Sequence, residues 1–259
     1  EYAMKDKRIT VIHKKNGGLA SARNAGLEYV FSKSELHIND FIGFVDSDDV
    51  IAPNMYECLH SMYQLSIDLA MCAHETVKEG QKCCVYSANR EYNKVLLNEN
   101  ELWEEVFGNL NNAVWNKLYR AEFMKDIRFM EGIIHGEDLI FNLQYLLKCK
   151  NGAMIDAKCY YYIKRTGSIT SSIFSDRRLM EIEAKERAKE IIIEHRPEQI
   201  LNAKKHCFRA RLNVIRSIVK ARVEVQNIDI LEQCREYVRD NYRTVRSKIK
   251  FKEKIEYFL

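Results

Sequence analysis

Three aspartates, Asp46, Asp48 and Asp49, lie within four residues of one another, directly after the apolar run 41–45. The run predicts a short buried strand, and the spacing of apolar residues after Pro53 predicts a helix. The acids therefore lie at the carboxyl end of a strand, the edge at which open α/β sheets bind ligands. Crowded carboxylates repel one another unless a cation joins them, and hard oxygen ligands favour Mg²⁺ or Mn²⁺ shared with a substrate phosphate. A solvated acidic turn that caps the next helix is the alternative.

A second candidate for phosphate chemistry lies in the segment 9–31. Its pattern predicts a strand at 9–13, a glycine turn at 16–18 and a helix with Arg23 near its start. Two glycines before a helix can present backbone N–H groups to a phosphate, although most such pairs are only turns. We expect Arg23 and Asn24 to lie off the packed face of this helix. That face is predicted to carry Leu19, Ala22, Gly26, Tyr29 and Val30.

Two further acids, Glu137 and Asp138, open a predicted helix with leucines along one side. Carboxylates in a first helical turn are favoured by the helix dipole, so a structural role explains them. A carboxylate held there also stays ionised, as a general base must. Further on, a strand at 157–163 ends in the basic loop 164–168, which can close over an anion or remain a solvated turn.

Together these segments resemble the family 2 glycosyltransferases, GT-A fold enzymes that build bacterial capsular polysaccharides and exopolysaccharides. The matching motifs occur in the family's order between residues 5 and 175, and five of them in sequence are specific. They are Asn16-Gly17-Gly18-Leu19-Ala20-Ser21-Ala22-Arg23-Asn24, Phe44-Val45-Asp46-Ser47-Asp48-Asp49 with Pro53, Trp115-Asn116-Lys117-Leu118-Tyr119, Gly136-Glu137-Asp138 with Phe141, and Arg165 with Gly167-Ser168-Ile169.

The resemblance implies a donor site for a nucleotide-diphosphate sugar, UDP-linked by expectation. Asp46 would hold the ribose or the metal, and Asp48 would bind the Mn²⁺ or Mg²⁺ that bridges the diphosphate. Arg23 would lie near the nucleotide and its phosphates, and Arg165 would help to hold the leaving diphosphate. The expected function is transfer of the sugar to a hydroxyl of a saccharide or lipid-linked oligosaccharide acceptor.

The resemblance also implies the catalytic side of the cleft. Asp138 would be the base that deprotonates the acceptor hydroxyl, so that the anomeric configuration inverts. Trp115, Lys117 and Glu137 would shape the donor-sugar and acceptor side. Packing in the core is an equal alternative for Trp115.

The implied fold class is α/β: a GT-A (Rossmann-like) nucleotide-sugar-binding domain over residues 1–175, with a basic helical appendage over 176–259. The family's fold opens with a strand, a helix and a second strand whose end reads the nucleoside base. We expect that unit, roughly fifty residues, to be absent here. The strand at 9–13 should then be a central strand, buried on both faces, with one unpaired edge.

Composition and charge indicate the cellular compartment and the possible partners of this protein. The chain has 259 residues, 46% of them hydrophobic, and eight cysteines without a Cys-x-x-Cys pair. That usage favours a reduced cytoplasmic compartment. The basic excess falls in 176–259, where helical periodicity breaks near 196–197 and 226–227. Such helices either rest on an anionic membrane surface, peripheral to the inner face of the plasma membrane, or are simply solvated. No zinc-ligand spacing or RNA-binding aromatic signature favours nucleic acid as a partner.

Two other functions stay open at this stage. A nucleotidyltransferase would also use a metal and a nucleotide sugar, but the order of the later motifs argues against it. A non-catalytic partner subunit or truncated paralogue is the other alternative, and the intact Asp46, Asp48 and Asp138 argue against it.

Overall fold

The computed structural model describes residues 1–33, 37, 39–81, 92–165, 174, 177–250 and 253. Its centre is one six-stranded sheet with helices on both faces and a helical region at the carboxyl-terminal end. The strands are β1 (Phe41–Gly43), β2 (Val50–Ile51), β3 (Leu69–Lys78), β4 (Lys94–Asn98), β5 (Lys117–Arg120) and β6 (Asn151–Lys164). The helices are α1 (Tyr2–Lys5), α2 (Gly18–Lys33), α3 (Met55–Ser61), α4 (Glu99–Trp103), α5 (Glu137–Leu146), α6 (Arg177–His195), α7 (Ile200–Ala221) and α8 (Ile228–Val245).

The sheet is mixed, with the order β1-β5-β3-β6-β2, and β4 also pairs with β6. β3 and β6 run parallel, whereas the other pairs are antiparallel. Alternate residues of β3 enter different cores: Leu69 and Met71 join one cluster, while Ala70 and Cys72 join the other. This period of two is the pattern expected for a strand buried on both faces.

The strand predicted at 9–13 is not formed, which corrects the sequence-based expectation. Residues 9–17 form no ladder, and Ile9, Val11 and Ile12 are 42%, 58% and 43% exposed. β-Branched residues favour extended backbone, but a strand also needs a neighbour to satisfy its N–H and C=O groups. Within the described residues, no strand lies beside this segment.

The strand before the aspartates is also less buried than predicted. β1 covers Phe41–Gly43 and pairs only with β5 among the described strands, so it lies at an edge of the sheet. Its two large side chains are half-buried, and Val45 beyond it is 46% exposed. The predicted helix after Pro53 is confirmed as α3, with Met55 and Leu59 fully buried.

The packed face of α2 differs from the prediction. Ala20, Asn24 and Leu27 are buried, whereas Leu19 and Tyr29 are 48% and 38% exposed. Apolar and small residues are spread around this helix, so the sequence does not single out one face. Packing against the rest of the domain selects the face that carries Asn24, and Arg23 lies beside it with its side chain only 8% exposed.

The carboxyl-terminal helices follow the predicted breaks. α6 ends at His195 before Pro197, and α7 and α8 are separated by a turn that includes Val225–Asn227. α6 and α7 contribute Ala188, Ile192 and Ala203 to the larger core cluster of the sheet. These helices therefore pack directly on the α/β part, while the division predicted between 175 and 176 lies outside the described residues. None of the described helices combines the length and apolar character needed to cross a membrane.

Candidate active site

Arg23 is the centre of a buried ion-pair cluster. Its Nη1 donates to Asp138 Oδ1 at 2.5 Å and its Nη2 donates to Asp46 Oδ1 at 2.8 Å. Glu137 Oε1 lies 3.8 Å from the same Nη1. The guanidinium also stacks over Phe129, 5.1 Å from the ring centroid. The structure thus brings together the acid that follows β1 and the two acids that open α5, with one cation between them.

Asn24 fixes the helix that carries this arginine. Its amide makes two hydrogen bonds with the backbone of Phe129, donating to the carbonyl at 2.9 Å and accepting from the N–H at 2.8 Å. On the opposite side of the cluster, Asn142 donates to the carbonyls of Asn112 and Asp138 at 2.7 and 2.8 Å. These buried amides hold α2, α5 and the 111–116 segment in register. The cluster is therefore preorganised by backbone contacts that are satisfied inside the domain.

Burial and the arginine have opposite effects on the α5 acids. Burial raises the pKa of Asp138, and the charge and hydrogen bond of Arg23 oppose that rise. Burial, followed by the neighbouring charge of Asp138, raises the pKa of Glu137 to about 7. Burial lowers the pKa of Arg23, but the attraction of the surrounding carboxylates exceeds that effect and leaves it above its usual value. The cluster thus holds two carboxyls with raised pKa values beside a permanent cation.

The three aspartates after β1 have three different environments. Asp46 is paired with Arg23. Asp49 accepts from the Tyr160 hydroxyl at 2.7 Å and from the Ile163 N–H at 2.8 Å. Asp48 is exposed, and within the described part of the chain its carboxylate has no hydrogen-bond partner. The mutual repulsion expected from the sequence is therefore relieved for two of the acids by protein groups.

The basic loop after β6 approaches this turn at one point. Arg165 Nη2 donates to the backbone carbonyl of Asp48 at 3.4 Å. Gly167 and Ser168, which complete the predicted loop, lie outside the described residues. The described contact places Arg165 next to the acidic turn.

The described residues include no group of three or more histidine, cysteine or acidic side chains arranged to hold a metal ion. Mg²⁺, however, is commonly bound by one or two carboxylates together with substrate phosphates. Asp48 is exposed and Asp46 is two residues away. Their hard oxygen donors fit a divalent ion whose coordination is completed by a substrate phosphate.

Lys117 lies deeper than predicted for a cleft residue, and Trp115 agrees with the alternative of packing in the core. Trp115 is 9% exposed and stacks on Tyr160 with the ring centroids 4.1 Å apart. Lys117 is fully buried, and its Nζ donates to the carbonyls of Asn111 and Ala113, both at 2.7 Å. Burial lowers the pKa of Lys117 to about 7. Lys117 therefore anchors the 111–116 segment, and Trp115, which belongs to that segment, packs against β6.

Tyr160 is the site residue that sequence analysis missed. Its hydroxyl accepts from the Asp46 N–H at 3.2 Å and donates to Asp49, so it supports the whole acidic turn. The available signal was the tyrosine run 160–162 in β6, where the period of two places Tyr160 and Tyr162 on one face. Both rings stack parallel to Trp115.

Comparison with solved structures identifies the architecture. Staphylococcus aureus TarS 1–349 in complex with UDP-GlcNAc matches with a TM-score of 0.51, over 90% of this chain and 72% of TarS, at 21% sequence identity. A second structure of TarS 1–349 matches with a TM-score of 0.54, over 93% of this chain and 74% of TarS, at 17% sequence identity. The chain has the GT-A fold with an additional helical region.

Sequence comparison shows which proteins of that fold this chain is similar to. Residues 1–126 match the profile of the family described as Glycosyl transferase family 2, so this part of the chain is similar to the domains of that family. The Bacillus subtilis (strain 168) protein named uncharacterized glycosyltransferase EpsJ is 32% identical over 181 residues, covering 66% of this chain and 49% of EpsJ. The minor teichoic acid biosynthesis protein GgaA of the same organism is 31% identical over 165 residues, covering 61% of this chain and 34% of GgaA. The chain thus spans about half of EpsJ and about a third of GgaA.

Proposed function

We propose that this protein is an inverting glycosyltransferase that moves a sugar from a UDP-sugar to a hydroxyl of a saccharide or lipid-linked acceptor. The observation that carries the proposal is the contact of Arg23 with both Asp46 and Asp138. It joins an acidic turn suited to a nucleotide diphosphate with a buried carboxylate suited to proton transfer. UDP is chosen because the TarS structure of the same fold is described as a UDP-GlcNAc complex.

In the proposed reaction Asp138 is the general base. The acceptor oxygen attacks the anomeric carbon from the face opposite the diphosphate, and the bond from that carbon to the diphosphate oxygen breaks. The acceptor proton passes to the Asp138 carboxylate, an effect that typically contributes about 10²–10⁴-fold. A pKa raised by burial makes this carboxylate a stronger base, and Arg23 keeps it ionised.

Asp48, with Asp46, is proposed to hold Mn²⁺ or Mg²⁺ together with the donor diphosphate. When bound there, a divalent ion would neutralise the charge that develops on the leaving group. Arg165 is proposed to add positive charge beside the same turn, which its contact with the Asp48 carbonyl supports. Arg23 is proposed to support the donor-binding turn through its ion pair with Asp46. It does not itself bind a phosphate, because its guanidinium is already hydrogen-bonded to two carboxylates.

We propose a role in cell-surface polysaccharide synthesis of the exopolysaccharide or capsular type, and the names of two relatives support the coarser part of this proposal. GgaA is named for teichoic acid biosynthesis, and EpsJ is named a glycosyltransferase. We propose action at the inner face of the plasma membrane, with the helical region as the contact surface. The corner between α7 and α8 supports this, because Val219, Val225 and Ile228 are 45%, 85% and 44% exposed next to the exposed Lys220 and Arg222. Such a combination of apolar and basic groups is suited to an anionic lipid surface.

The decisive experiment is a mass-spectrometric transfer and hydrolysis screen of the protein against a panel of nucleotide sugars with Mn²⁺. A glycosyltransferase releases UDP from at least one UDP-sugar, and the Asp138→Asn variant does so far more slowly. Thermal unfolding in the presence of UDP, with and without Mn²⁺, measures UDP binding separately. A melting curve unaffected by UDP and metal, together with no release of UDP, would favour a non-catalytic partner subunit instead.

A further inference from the structure

A cavity of about 430 Å³ opens beside the candidate active site. It lies between the π-helical turn Glu104–Gly108, the 109–116 segment and residues 72–74 of β3, and Met154 of β6 also lines it. Its volume is in the range of pockets that bind small ligands. No role for it follows from the roles proposed above.

The wall of the cavity is continuous with the proposed base. Ala113 lines the cavity, and the N–H of the next residue, Val114, points at Asp138 Oδ2 from 3.4 Å. Lys117 donates hydrogen bonds to the carbonyls of Asn111 and Ala113, which fixes the backbone of this part of the lining. A ligand seated against Ala113 is therefore one residue along the backbone from the N–H that contacts the Asp138 carboxylate.

The backbone of this wall has features that are uncommon in purely structural segments. Residues Glu104–Gly108 form a π-helical turn, a geometry that is frequent at functional sites. Leu110, which also lines the cavity, has a positive φ of 60°, an unusual conformation for a bulky side chain. The α7 side chains of Lys205 and His206 contact the carbonyls of Gly108 and Phe107 at 2.7 and 2.8 Å and so hold the end of the turn.

The lining combines mostly apolar surface with a few polar side chains, and none of the described lining residues is a lysine or an arginine. Glu105 accepts from the amides of Asn109 and Asn111 at 3.2 and 3.0 Å. The ring of His74 packs edge-on against Trp115 at 5.0 Å, and within the described part of the chain its nitrogens have no hydrogen-bond partner. Burial lowers the pKa of His74, which favours its neutral form.

We propose that this cavity binds a neutral, hydroxyl-rich sugar unit of the acceptor, with His74 and Glu105 as its hydrogen-bonding groups; the inference rests on the proposed function. Hydroxyl groups match imidazole, amide and carboxylate partners. A phosphate-bearing unit is disfavoured, because the only charged side chain among the described lining residues is the carboxylate of Glu105.

The test uses the two tryptophan indoles as reporters. In the protein labelled with ¹⁵N-tryptophan, the Trp115 indole signal reports on His74 beside the cavity, and the signal of fully buried Trp103 is the internal control. Lactose and chitobiose are titrated as neutral probes, and glycerol 1-phosphate as the anionic probe. The neutral sugars are expected to shift the Trp115 signal saturably, whereas glycerol 1-phosphate leaves it unchanged.

A matched pair of variants locates the response. His74→Ala is expected to weaken the response to the neutral sugars by about three- to tenfold, the effect of one hydrogen bond. His195→Ala, at a half-exposed histidine at the end of α6, is expected to leave it unchanged. UDP binding with Mn²⁺, measured on the same samples, should be equal in all three proteins.

Two results would overturn the inference while leaving the proposed function in place: a Trp115 signal that neither neutral sugar moves, or one that glycerol 1-phosphate moves equally, with UDP binding retained. Loss of UDP binding in the unaltered protein, with the sugar response retained, would instead overturn the proposed function.

Discussion

Arg23 and Asp138 are separated by 115 positions in the chain, yet Arg23 Nη1 lies 2.5 Å from Asp138 Oδ1. Both side chains are largely buried, with 8% and 17% of their surfaces exposed. A charge in such a place is tolerated only when it is paired, and the permanent charge of Arg23 favours the ionised form of Asp138. This single contact connects the proposed donor-binding turn after β1 with the proposed base at the start of α5.

Asp138→Asn should lower transfer by about two to four decades, because the amide cannot accept the acceptor proton. The shape is retained and Arg23 keeps its pairing with Asp46, so UDP binding should change little. Initial rates and calorimetry on the same preparations measure both effects. Unaltered turnover would reduce Asp138 to a structural acid at the start of α5.

Arg23→Gln should destabilise the fold by about 3–5 kcal/mol at pH 8, because three carboxylates lose their cation. Since Arg23 opposes the rise in the pKa of Asp138, its loss raises that pKa further. Protonation relieves the repulsion in acid, so the destabilisation should be smaller at pH 5. Urea unfolding at both values measures this, with Arg8→Gln as an exposed control. Equal losses at both pH values would contradict the ion-pair account.

Asp48→Ala should abolish metal-dependent UDP binding with a change in stability of less than about 0.5 kcal/mol, since Asp48 is exposed. Asp49→Ala is the matched comparison: it removes the acceptor for Tyr160 and Ile163 and should cost about 1–3 kcal/mol. Calorimetry with UDP and Mn²⁺, together with thermal melts, separates the two effects. Normal metal-dependent binding in the Asp48 variant would exclude it from the site.

Glu137→Gln should change the pH dependence of stability. The pKa of Glu137 is raised from 4.5 to about 7 in the folded protein, so its contribution is fully present below pH 4.5 and is lost as pH rises through 7. Between pH 5 and pH 8 the unaltered protein should therefore lose up to roughly 3 kcal/mol relative to the glutamine variant. Chemical unfolding at several pH values measures the difference. Parallel stability curves would show that Glu137 ionises normally.

The corner between α7 and α8 should bind anionic vesicles in a salt-dependent manner, because exposed charges are screened beyond about 8–10 Å at physiological ionic strength. Lys220→Glu with Arg222→Glu should weaken partitioning strongly, at about 1 kcal/mol for each basic residue removed. Lys7→Glu with Lys125→Glu makes the same charge change on the α/β part and should matter less. Equal sedimentation with neutral and anionic vesicles would leave these helices simply solvated.

Local signals in the sequence predicted much of this architecture. The helix after Pro53, the helix at Glu137 and the breaks near 196–197 and 226–227 all occur as expected. Each depends on neighbours within a few positions: an apolar period, a proline or acids in a first turn. Such features are formed by short-range sterics and hydrogen bonding, so one sequence suffices to locate them.

Long-range packing decided what the sequence left open. The apolar residues of α2 are compatible with several packed faces. The two hydrogen bonds between the Asn24 amide and the Phe129 backbone fix the face that directs Arg23 toward Asp46 and Asp138. The residues of segment 9–13 favour extended backbone, but without a described neighbouring strand they form no ladder.

By itself, the sequence determined which chemical groups this protein carries, their order along the chain and the helices or turns that hold them. The tertiary structure alone decided which of those groups are neutralised. It paired Arg23 with Asp46 and Asp138, turned Asp49 toward Tyr160 and left Asp48 exposed. The reason is physical: the energy of a charge depends on its burial and on partners within a few ångströms, and for these residues most of those partners lie more than a hundred positions away in the chain.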